Sequence, residues 1–104
     1  MYLAISHDGV ALHEPEVATD LYASYRERLT PQRLAAVLAE HAGGELLPDG
    51  AHVVIPVATL RRLAAGRVHE GWDADFDALL DRARSTGRLS EDGGAVRAPL
   101  ERER

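Results

Sequence analysis

The chain contains no cysteine, no lysine and no asparagine, and only 5% of its 104 residues are aromatic. Without thiols there is no disulfide framework, no thiolate metal site and no cysteine nucleophile, so core packing has to supply the stability. With lysine absent, all 12 basic side chains are arginine, a pattern that fits GC-rich coding better than a nucleic-acid signature. No apolar run approaches the roughly 20 residues of a membrane span. The opening "MYLAISHDGV" has neither the basic start nor the apolar stretch of a secretory leader. The expectation is a cytoplasmic chain with no membrane partner.

What is present describes one small globular domain over 1–104. Apolar residues make up 45% of the chain, and its length suits one core rather than two. A formal charge of -5 disfavours a broad surface for nucleic acid while leaving room for a local basic patch.

"MYLAIS" and "VALHE" flank Asp8-Gly9, a strong two-residue hairpin signal. A turn there sets His7 opposite Val10, Ile5 opposite Leu12 and Leu3 opposite Glu14, with Leu3, Ile5, Val10 and Leu12 on one buried face. In "PEVATDLYASYRERL", Val17, Leu21, Tyr22, Tyr25 and Leu29 recur at helical spacing behind Pro15, which predicts a first helix. A second is predicted from the Thr30 cap and Pro31 to the Gly43-Gly44 stop. "PDG" then reads as a turn, "AHVVIP" as a buried strand and "VATLRRLAAG" as a short helix. Phe76, Leu79, Leu80 and Ala83 mark the inner face of a longer helix, from about Asp73 to Thr86, which Gly87 ends. "RLS" and "AVRAPL" pair across "EDGG", and 101–104 reads as a solvated tail.

From Thr30 on, the predicted order is helix, strand, helix, helix, strand, turn, strand. That order resembles a winged helix-turn-helix domain over 30–100, carried mainly by "DALLDRARSTGRLSEDGGAVRAPL". The likeness is one of fold and matches no particular family. The fold class is therefore α+β, with an N-terminal hairpin and helix (1–29) preceding a winged-helix-like unit. The likeness implies that the helix from Asp73 lies where a recognition helix would, and that Arg82, Arg84, Arg88 and Arg97, around its end and the wing, are the DNA contacts. Against this, 69–81 holds five acids and no arginine, a poor match to phosphates.

Asp73, Asp75 and Asp77 match the first ligand positions of a calcium loop, but Ala78 and Arg84 stand where glycine and a bidentate glutamate are needed. These carboxylates read instead as first-turn acids favoured by the helix dipole. His7, His13, His41, His52 and His69 have no metal spacing among them. His69 and Glu70 beside Trp72 are the one place where a base, a carboxylate and an aromatic wall share a loop, as a small ligand pocket or enzyme site would want. No catalytic set, metal site or cofactor motif is assembled beyond that.

Arginine and tyrosine are favoured at interfaces, so Arg61, Arg62, Tyr22, Tyr25 and Trp72, with the acidic Asp77 and Asp81, are the candidate partner-binding residues. The role expected is that of a small acidic accessory or regulatory domain acting on a protein partner or on a second copy of itself. The two alternatives are the DNA-binding regulator and the His69, Glu70 and Trp72 pocket.

Overall fold

A computed structural model describes residues 1–26 and 28–103. Strands β1 (Tyr2–Ser6) and β2 (Gly9–His13) form the expected hairpin, but the pairing sets Ser6 opposite Gly9 and Leu3 opposite Leu12. The two loop residues are therefore His7 and Asp8, one position earlier than the Asp8-Gly9 turn. The hairpin accommodates this because moving the turn by one residue shifts the pairing by two, and side-chain faces repeat every two residues. Leu3, Ile5 and Leu12 are buried, and Val10 packs on the same core.

The predicted first helix is not formed. After β2 the chain turns at Glu14, held at φ 52°, and runs as a loop into strand β3 (Tyr22–Tyr25). Glu27, within that predicted helix, lies outside the described residues. The loop crosses the end of β1, where the Met1 amine donates to the carbonyls of Val17 and Asp20 at 2.7 and 3.0 Å. The apolar spacing of this segment fits a strand as well, with Ala23 and Tyr25 inward and Tyr22 outward. Pairing decides between the two, since β3 lies parallel to β1 and satisfies one of its edges.

From Thr30 the local signals hold. The Thr30 hydroxyl accepts from the Arg33 amide, and α1 (Pro31–Val37) begins with proline at its first position. It continues as a π turn, Leu38–Ala42, closed by Gly43 at φ 66°. A two-residue strand β4 (Glu45–Leu46) and β5 (His52–Pro56) follow, then α2 (Val57–Ala64), α3 (Trp72–Ser85) and β6 (Ala95–Arg102). Gly87, at φ 74°, ends the chain's last helical stretch. The hairpin before β6 is reduced to one bridge, Leu89 to Val96.

The N-terminal hairpin and the strands of the expected winged-helix-like unit join in one six-stranded mixed sheet in the order β2-β1-β3-β6-β5-β4. Residues Glu101 and Arg102 are not a solvated tail; they pair with Ser24 and Tyr25 of β3. Arg104 lies outside the described residues. Central β6 is antiparallel to β5 over its first half and parallel to β3 over its second. The inward side chains Leu3, Ile5, Ala23, Val53, Ile55 and Ala98 share a single core with Val37, Leu38, Leu60 and Phe76 from the helical segments. Each large side chain buried there contributes about 1.5–3 kcal/mol. The buried faces of all three helices therefore lie on one side of the sheet.

Candidate functional site

On the other side of the sheet the strand register lines up side chains in a row. His13 of β2 stands opposite Tyr2 of β1, Tyr2 opposite Tyr22 of β3, and Pro99 of β6 opposite His52 of β5. Since Ala23 pairs with Leu100 in parallel register, Tyr22 stands level with Pro99 and joins the two halves. The rings stack: Tyr2 and His13 have centroids 5.0 Å apart at 9°, and Tyr2 and Tyr22 5.1 Å apart at 15°. No side chain of the row is buried below the intermediate class, and His13 is exposed.

Next to this row, toward the hairpin turn, Ala4, Ala11 and Ser24 form the floor of an open cleft of about 510 Å³. Tyr2 and His13 wall it on one side, and the ion pair between Arg26 and Glu103 edges it on another. Tyr22 is held above the usual tyrosine pKa, first by local desolvation, then by Tyr2 and the carboxylates of Glu101, Glu14 and Glu103. Its hydroxyl thus stays a neutral donor. An aromatic, weakly charged sheet face offers contact area and a few hydroxyl and imidazole hydrogen bonds. Among the described residues no hydrogen bond joins a hydroxyl of this face to a histidine or a carboxylate.

The residues singled out from sequence are scattered by the fold. Tyr22 is in the row, whereas Tyr25 points inward and packs against the core. Trp72 is 3% exposed, stacked on Phe76 at 4.7 Å, with its indole N–H donated to the Pro15 carbonyl. It is a core residue rather than the wall of an open site. Arg61 reaches Asp73 at 3.3 Å and Asp77 at 2.9 Å, and lies 4.9 Å over the Phe76 ring, so Arg61 and Asp77 hold α2 to α3. Arg62 donates to the His41 carbonyl, and Asp81 is exposed.

His69 bridges two carboxylates, with Nδ1 on Glu16 and Nε2 3.2 Å from Asp75. The Glu16 hydrogen bond, with Asp75 adding, raises its pKa against partial desolvation. Both ring nitrogens are therefore engaged in fastening the 14–21 loop to the first turn of α3. Glu70 is exposed on the same loop.

The four arginines of the DNA alternative divide likewise. Arg82 donates to the carbonyls of Ala18 and Thr19, and Arg88 to the Thr86 hydroxyl. Arg84 lies beside Gly93, and Arg97 makes no ion pair among the described residues. The exposed face of α3 carries Asp73, Asp77 and Asp81.

Two of the five members of the row were legible in sequence. Alternation in "MYLAIS" places Tyr2 outward once Leu3 and Ile5 are inward, and the hairpin places His13 near it. Tyr22 was hidden by its helical spacing, and Pro99 and His52 by pairings between distant segments. Comparison with known proteins finds no matching family model, no matching curated protein and no matching solved structure. The class is thus defined by the fold alone, an α+β domain with helices on one face of a six-stranded sheet.

Proposed function

We propose that this chain is a protein-interaction domain, an accessory or regulatory unit that binds through the open face of its sheet. The observation that carries the reading is the row His13, Tyr2, Tyr22, Pro99 and His52 on the side away from the helices. A sheet face left to water ordinarily presents charged and polar side chains. Tyrosine supplies large contact area at low entropic cost, and is enriched where proteins meet.

The winged-helix likeness belongs to this reading as a matter of shape. It is supported by β5 lying beside β6 and by the bridge from Leu89 to Val96. DNA as its ligand draws little support, because the outer face of α3 is acidic and Arg82 is committed to the 14–21 loop.

The test is photocrosslinking in the native host, with a benzophenone amino acid placed at Tyr22 or, as a control, at Ala78 on the exposed side of α3. A discrete protein adduct from the Tyr22 position and none from the Ala78 position is the expected result. No adduct at Tyr22, or the same adduct from both positions, overturns the proposal.

A further inference from the structure

We infer that the occupant of the open face is a second copy of this chain, related by a two-fold axis that crosses the strands at the level of Pro99. The inference rests on the reading above and names the partner of that same surface. The outward side chains of β6 are Arg97, Pro99 and Glu101, since Val96, Ala98 and Leu100 belong to the core side. At about 3.3 Å per residue, the cation and the carboxylate stand about 7 Å on either side of the proline.

The neighbouring segments reinforce this polarity. Arg97 donates its amide to the Arg88 carbonyl at 2.7 Å, and the Leu89 to Val96 bridge sets Arg88 beside Arg97. Together with Val54 they line a recess of about 190 Å³. At the opposite end Glu101 pairs in register with Ser24 and is exposed, with no ion pair among the described residues. Along β6 one end of the face thus carries two arginines, with the exposed Glu45 of β4 two strands away opposite Val54. The other end carries Glu101 beside the Arg26–Glu103 ion pair, with Arg97 and Glu101 equally spaced from the aromatic row.

A surface with opposite charges mirrored across a line is complementary to itself after rotation about that line. In such a pair Glu101 of each copy enters the recess at Arg88 and Arg97 of the other, so every contact is made twice. Tyr2, Tyr22 and Pro99 fall on the axis and meet their own counterparts. Facing sheets pack about 10 Å apart, a gap that arginine and glutamate side chains span together. Rotation about an axis parallel to β6 instead sets Arg97 against Arg97 and Glu101 against Glu101, which like-charge repulsion disfavours.

The experiment is sedimentation equilibrium on the whole chain, the wild type against Arg97→Glu and Glu101→Arg. The wild type is expected to be a dimer, and each variant to dissociate at least about tenfold more readily. An equimolar mixture of the two variants is expected to form a heterodimer, because one then offers only carboxylates at these two positions and the other only guanidinium groups. Both positions are exposed, and unchanged far-UV circular dichroism confirms that the variants are folded.

A monomeric wild type overturns the inference, as does a dimer indifferent to both changes or a mixture that fails to associate. The two proposals fail separately. A monomer that still yields a larger adduct from Tyr22 removes the self-partner and leaves the interaction surface, whereas a monomer with no adduct removes both.

Discussion

The indole nitrogen of Trp72 donates to the carbonyl oxygen of Pro15 at 2.6 Å, joining the start of α3 to a loop 57 positions earlier. Both residues are buried, so this hydrogen bond satisfies a carbonyl that water cannot reach. Trp72→Phe keeps much of the stacking on Phe76 but leaves that carbonyl unpaired, at an expected cost of about 1–3 kcal/mol. Urea denaturation measures it, and an unchanged midpoint would show that the indole hydrogen bond is dispensable.

The same loop is fastened by His69, and this attachment responds to pH. Its folded pKa is raised, by Glu16 first and also by Asp75, so the protonated ring favours the folded chain. The contribution is complete below the unfolded value of 6.5 and is lost as the pH climbs through the raised folded value. The melting-temperature gap between wild type and His69→Gln should therefore narrow as pH rises from about 5 to about 9. A gap that stays constant or widens would refute the linkage.

Gly43 and Gly44 are required for different reasons. Gly43 closes the helical segment at φ 66°, whereas a Cβ at Gly44 would lie 2.5 Å from the Val54 carbonyl oxygen. Backbone of a core strand cannot move aside cheaply. Gly44→Ala should cost about 1–3 kcal/mol, read from the shift in denaturation midpoint. A cost below that of Gly43→Ala would contradict the close approach.

Tyr22 offers a separation of binding from stability. Its ring is half-buried and stacks on Tyr2, so Tyr22→Ser should cost about 0.5–1 kcal/mol, in the range of one cross-strand pair. The same change should abolish association at the sheet face. Loss of folding without a specific loss of association would mark the stack as structural.

Duplex DNA gives a further check on the arginines near β6. At low salt a random pool should show no binding that weakens as salt is added. Salt-sensitive binding that disappears in Arg88→Ala and Arg97→Ala would instead assign this end of the sheet to phosphates.

Where structure followed sequence closely, the signals were local. Thr30, Pro31 and Gly43 bound the helical segment because a cap, a preset φ and a left-handed stop act within a few residues. The inner face of α3 followed from spacing at Phe76, Leu79 and Ala83, whereas Trp72, read as part of the preceding loop, opens the helix on that same buried face. Tyr22 and Tyr25 could not be placed this way. Their spacing suits a helix and a strand alike, and the strands that select between them lie at opposite ends of the chain.

By itself the sequence determined a cysteine-free α+β chain, the inward faces of the hairpin and of α3, the Thr30 cap of α1 and the acidic α3. These follow from composition, periodicity and short-range geometry. Only the tertiary structure decided that β1, β3 and β6 join one sheet, that Trp72 and His69 are spent on fastening a loop, and that Tyr2, Tyr22 and Pro99 share an open face. The physical reason is that strand pairing satisfies backbone groups across any separation in the chain, so no local pattern records which segments will meet.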